Sequence, residues 1–130
     1  MQTIANTPHY ILAFEPSKNR VYWTPKGFWD KTVNADELLD NWEKVLNMAS
    51  TEFTILTDAT QVKTLLPMWA ETFKNIQTRM VEAGLSASAE VLSQDAITKM
   101  QADRVSRQSG MLKQNFTTIP DAEKWLDSLK

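Results

Sequence analysis

Residues 53–84 read "FTILTDATQVKTLLPMWAETFKNIQTRMVEAG", and this stretch decides the fold class. "FTILT" at 53–57 is a short apolar run rich in β-branched residues, the pattern of a buried strand. Further on, Trp69, Phe73, Ile76 and Met80 recur at spacings of four, three and four, the period of an amphipathic helix. Pro67 suits a first helical turn, where its missing N–H would have no partner anyway. Gly84 suits the left-handed position that ends a helix. A strand followed by a helix on this scale is the unit from which α/β domains are built.

The same unit recurs on both sides. Upstream, "YILAF" at 10–14 and "RVYWT" at 20–24 flank the turn "EPSKN", which predicts an antiparallel hairpin. "PKGFWDKT" at 25–32 follows as a loop carrying exposed aromatics. Asn34 and Glu37 fit a capping box, and Leu38, Trp42, Val45 and Ala49 make a stripe that Leu39 and Leu46 widen. Downstream, "SASAEVLS" at 86–93 reads as a strand. Residues 94–109 read as a helix with Ser93 or Asp95 as cap and Gly110 as stop. "NFTTI" at 115–119 reads as a closing strand. "PDAEKWLDSLK" reads as a last helix that buries Ala122, Trp125, Leu126 and Leu129. The expected order is β-β-α-β-α-β-α-β-α. It predicts an α/β sandwich with a mixed, mostly parallel sheet of about five strands and about four helices. Residues 1–130 are expected to form one domain, with 1–8 as a flexible arm.

Composition excludes several functions. The chain has 130 residues and a formal net charge of -2, so it lacks the basic footprint of a nucleic-acid binder. It has no cysteine, which removes disulfides, thiol catalysis and thiolate metal sites. No apolar run approaches the ~20 residues that span a bilayer, so membrane insertion is not expected. The N-terminal segment has no basic leader followed by an apolar block, and a cytoplasmic location is the expectation. His9 is the one histidine and has no acidic or histidine cluster beside it, so no metal is expected. Three glycines cannot write a phosphate-binding or dinucleotide-binding loop, and no cofactor is expected. No catalytic residue is assigned.

Three groups of residues stand out as candidates for binding. Asp58 ends an apolar strand, where a carboxylate either organises the turn that follows or faces a ligand, with Thr60 and Thr64 close in sequence. Trp23, Phe28 and Trp29 surround Gly27, and such aromatics either cap the core or form a surface for a partner or ligand. The Trp- and Met-rich helices either pack densely or line a pocket.

The element order resembles the STAS domain of bacterial anti-sigma-factor antagonists. More narrowly, it is similar to the STAS/Sec14-like family of small, uncharacterized bacterial proteins. Three segments carry the resemblance, "VYWTPKGFWDKTVNADELLDNW", "FTILTDATQV" and "NFTTIPDAEKWL", and the match as a whole runs from about Tyr10 to Leu129. The resemblance implies a non-enzymatic protein-interaction or regulatory module that binds a protein partner or itself, a homodimer included. The Sec14 side implies the alternative of a small apolar or anionic, lipid-like ligand. In the antagonists a serine at the start of the helix after the central strand is phosphorylated. Here Pro67 falls at or beside that position, Thr64 is the nearest hydroxyl, and the "DSSG"-like step is absent, so that switch is not carried over.

Overall fold

A computed structural model describes residues 1–93 and 112–129. The chain forms β1 (Gln2–Thr7), β2 (Tyr10–Glu15), β3 (Arg20–Pro25), β4 (Gly27–Trp29), α1 (Ala35–Met48), β5 (Thr54–Asp58), β6 (Val62–Leu65), a 3₁₀ turn (Pro67–Trp69), α2 (Ala70–Glu82), β7 (Ala87–Val91), β8 (Leu112–Phe116) and α3 (Ile119–Ser128). Six strands make one sheet in the order β1-β2-β3-β5-β7-β8. β1–β2 and β2–β3 pair antiparallel, and the remaining three pairs are parallel. The mixed α/β architecture matches the expectation, while the helix expected at 94–109 lies outside the described residues.

The N-terminal arm is a correction. Residues 2–7 form the edge strand β1, in register with β2 from Gln2↔Phe14 to Thr7↔Tyr10. Two interactions hold it. The Thr7 hydroxyl oxygen accepts the backbone N–H of His9 and of Tyr10, both at 3.1 Å, which closes the turn around Pro8. Ile4 and Ala5 pack against the core. β1 has no apolar run of its own, because an edge strand with a solvated face needs only a few inward side chains.

The segment at 25–32 is a second correction. It contains a strand, β4, that pairs in parallel with β6 as a separate two-stranded sheet. Gly27 donates its N–H to the Gln61 carbonyl at 2.9 Å, and Leu66 donates to the Trp29 carbonyl at 3.2 Å. Gly27 sits at φ 69°, a conformation glycine adopts without steric cost. The polar segment after Asp58 becomes a strand because β4 offers it backbone partners, which local patterning does not reveal.

The first helix starts as expected, with the Glu37 N–H donating to the Asn34 side chain at 3.0 Å. Leu38, Trp42, Val45 and Leu46 are buried, whereas Leu39 is exposed and leaves the predicted stripe. The helix expected to open at Pro67 begins with a 3₁₀ turn and becomes α-helical at Ala70. Gly84 ends that region at φ 104°, and an added Cβ would lie 3.0 Å from the Thr51 backbone, so glycine is required twice over. β8 spans 112–116 rather than 115–119, and Thr118 caps α3 by accepting the Asp121 N–H at 3.3 Å. Ala122 and Leu126 are buried there, while Leu129 is exposed.

The sheet separates two cores. On one side α1 and α2 cover Leu12, Val21, Trp23 and Ile55. On the other α3 covers Leu56, Ala87, Ala89 and Val91. Alternation along each strand assigns its residues to the two sides.

Candidate functional site

The α1/α2 side holds an interlocked aromatic cluster. Trp29 is the hub, with ring centroids 5.1 Å from Trp69, 5.3 Å from Phe73, 5.9 Å from Tyr10 and 6.1 Å from Trp23. Trp23 extends the cluster to Trp42 at 5.2 Å. The tilted and edge-on geometries are those that ring quadrupoles favour. Polar tips are handled unevenly. Tyr10 accepts a hydrogen bond from the Asn41 amide at 3.0 Å, and burial pushes the Tyr10 hydroxyl pKa up. Trp69 donates its indole N–H to the Asp30 carbonyl at 3.1 Å. The indole N–H groups of Trp29 and Trp42 are buried without a hydrogen-bond partner among the described residues.

Beside this cluster lies a cavity of about 440 Å³. Its floor is the sheet: Trp23 of β3, Ile55 and Thr57 of β5, Ser88 and Glu90 of β7, and Lys113 of β8. Its roof comes from α2 and the turn before it, with Trp69, Phe73, Ile76 and Met80 giving most of the apolar wall. Trp42 of α1 also lines it. The volume falls in the ~300–1,000 Å³ range of small-molecule sites. Flat rings fixed by their neighbours cannot collapse into a void as flexible side chains do, so the aromatic cluster keeps the space open.

The structure separates the sequence candidates. Trp23 is buried and lines the cavity. Trp29 is fully buried, which corrects the reading of it as exposed: β4–β6 pairing turns it inward as the hub of the cluster. Phe28 points the other way and is 48% exposed. Asp58 organises its turn, accepting the Thr60 N–H at 3.0 Å and the Thr60 hydroxyl at 2.6 Å. Asp58 is buried and Thr60 exposed, and Ala59 between them reaches the cavity wall. Thr64 lies in β6 opposite Phe28. Sequence reasoning missed Ser88 and Glu90. The alternation of "ASAEV" at 87–91 was the available signal, since it puts a serine and a glutamate on one face of an inner parallel strand.

The opposite side carries a buried cation. Arg20 is fully buried, donates from Nε to the Thr54 hydroxyl at 3.0 Å, and pairs through Nη1 with Glu123 and with Asp127 at 3.0 Å. The Tyr22 hydroxyl donates to Glu123, and Lys18 lies 3.4 Å from both Glu123 and Asp127. Burial, then the Glu123 carboxylate, push the Tyr22 pKa up to about 12. The Arg20 guanidinium holds the Asp127 carboxyl below its usual range. This network fastens the β2–β3 turn and the start of β3 to α3, and it lines no part of the aromatic cavity.

Among the described residues no His, Cys, Asp and Glu side chains group so as to hold a metal ion. No described helix is long and apolar enough to cross a membrane.

No protein-family model and no curated protein sequence matches the chain. Among solved structures it is similar to an uncharacterized protein of the DUF3478 family with a SpoIIAA-like fold, from Shewanella loihica PV-4. The two share 16% sequence identity over 94% of this chain and 97% of that one, with a TM-score of 0.67. At that identity the likeness concerns the backbone, and it establishes a SpoIIAA-like, that is STAS-like, fold for this chain.

Proposed function

We propose that this chain is a non-enzymatic STAS-like binding module whose aromatic cavity takes a small ligand with an apolar body. The supporting observation is the cavity itself, about 440 Å³ of space beside a cluster of rings that are otherwise close-packed. An apolar solute there would contact Trp23, Trp69, Phe73 and Met80, removing apolar surface from water. The polar groups in the walls argue against bond-making. Ser88 and Lys113 face each other across β7 and β8 but share no hydrogen bond, the contact that activates a nucleophile.

Native mass spectrometry of freshly purified protein tests the reading. A reproducible bound mass, or saturable quenching of tryptophan fluorescence by octyl-chain probes, is the expected result. A clean apo mass together with no quenching by any such probe would refute it.

A second reading, a module that binds a protein partner or a second copy of itself, is favoured by Phe28 and Met68. They are 48% and 55% exposed, Phe28 within β4 of the small sheet and Met68 in the turn that follows β6. Sedimentation of the wild type against the Phe28→Ser, Met68→Ser double variant tests it. A dimer lost in the variant supports self-association, and a monomer in both removes it.

A further inference from the structure

The floor of the cavity changes character across the sheet. Under β3 and the start of β5 it is Trp23 and Ile55, then Thr57, then Ser88 and Glu90 of β7, and finally Lys113 of β8. Register places these residues side by side: Ile55 pairs with Ser88, Thr57 with Glu90, and Ser88 with Lys113. β7 lies between two parallel neighbours, a position whose residues are normally apolar on both faces. Its other face obeys that rule, with Ala87, Ala89 and Val91 packed against α3.

Glu90 is half-buried, and Lys113 is exposed at the mouth. They lie on adjacent strands two residues apart in register, yet form no ion pair with each other or with any other described residue. By contrast, the buried cation of the α3 side is paired: Arg20 with Glu123 and Asp127, and Lys18 with the same two acids. A carboxylate and an ammonium held on one wall, unpaired among the described residues and next to an apolar chamber, match a head group that carries both signs.

Resting on the ligand-binding reading above, we propose that the ligand is zwitterionic at one end. Its ammonium sits against Glu90, its anionic group against Lys113, and its apolar body against Trp23, Trp69 and Phe73. Ser88 and Thr57, between the two charges and the apolar zone, offer hydroxyls to the same head group.

Four probes built on eight-carbon chains separate the terms: N-octyl-N,N-dimethylglycine, octyltrimethylammonium, octanoate and octanol. Binding is read from tryptophan fluorescence, because Trp23, Trp42 and Trp69 line the cavity. The zwitterion is expected to bind tightest, by about fivefold or more over octanol, the scale of a partly solvated charge contact. Glu90→Gln should weaken the zwitterion and octyltrimethylammonium by a similar factor and leave octanoate unchanged. Lys113→Met should weaken the zwitterion and octanoate and leave octyltrimethylammonium unchanged. Equal affinity for all four probes, or variants that shift all four alike, would overturn the head-group assignment while leaving the apolar site standing. Binding of none of them would remove the ligand reading itself.

Discussion

The two sides of the sheet solve the same packing problem in opposite ways. On the α3 side the contact residues are small: Ala87, Ala89 and Ala122, with Val91 and Leu126 filling between them. Small side chains let helix and sheet approach closely, and Lys18, Glu123 and Asp127 are tied into one network around Arg20. On the α1/α2 side the residues are large and rigid, and beside them a chamber remains. The lesson is that alanine-rich contact makes a closed seam, whereas interlocked aromatic rings act as a frame that holds space open.

Substitutions that attack each side at its centre should have the largest effects. Arg20→Ala removes the buried cation from two acids and should cost about 3–5 kcal/mol in urea unfolding, because it leaves Glu123 without its main partner. Trp29→Ala, at the hub of the frame, should cost about 3–5 kcal/mol and also abolish probe binding. If Trp29→Ala destabilises the fold but binding survives, the rings do not frame the cavity and the contrast between the two sides fails.

Filling the chamber is the sharper test. Ser88→Leu places an apolar side chain on the cavity floor. It should leave stability within about 1 kcal/mol of wild type, or raise it, while eliminating probe binding. The same substitution in a dense core would overpack it and cost about 1–3 kcal/mol. A loss of that size in thermal unfolding would mean the space is not available.

The pH dependence of stability should report the α3 side. Asp127 has a folded pKa below its unfolded value, so its contribution is present above the ordinary carboxylate pKa and is lost as pH falls through the lower folded value. Tyr22 has its pKa raised to about 12, so its contribution is full below the unfolded value near 10 and is lost as pH rises towards 12. Arg20→Met should make the acid limb shallower, to which Glu15, Asp30 and Glu43 also contribute, and Tyr22→Phe should make the alkaline limb shallower, to which Tyr10 adds. Urea midpoints measured across both windows check this, and limbs of wild-type slope in these variants would dissociate them from the network.

The smallest effect belongs to a surface pair. Arg79 on α2 meets Glu43 on α1 through two hydrogen bonds, at 2.9 and 2.8 Å, with both side chains largely exposed. Arg79→Ala should cost no more than about 1 kcal/mol and fade with added salt. A cost above that would mean the α1–α2 roof depends on this clamp rather than on its rings.

How much of this was legible in the sequence depends on distance along the chain. The cap at Asn34, the helical stripes through Trp42 and Ile76, and the hairpin around "EPSKN" are local, and their signals lie within a few residues of where they act. The apolar/polar alternation at 87–91 is local too, and it already contained the polar floor of the cavity. The burial of Trp29 was not legible, because it depends on β4 pairing with a segment more than thirty residues away. Nor was the Arg20 network, whose acids lie more than a hundred residues from it.

The sequence by itself therefore determined which elements form and which side chains of each share a face, since periodicity, capping and turn chemistry act within a few residues. Only the tertiary structure decided that Trp29 is a hub rather than a surface group, that Asp58 serves a turn, and that Ser88, Glu90 and Lys113 meet a ring of aromatics around a chamber. The reason is physical. A cavity is what remains between side chains contributed by strands and helices far apart in the chain, and its shape depends on how rigid groups fit together in space.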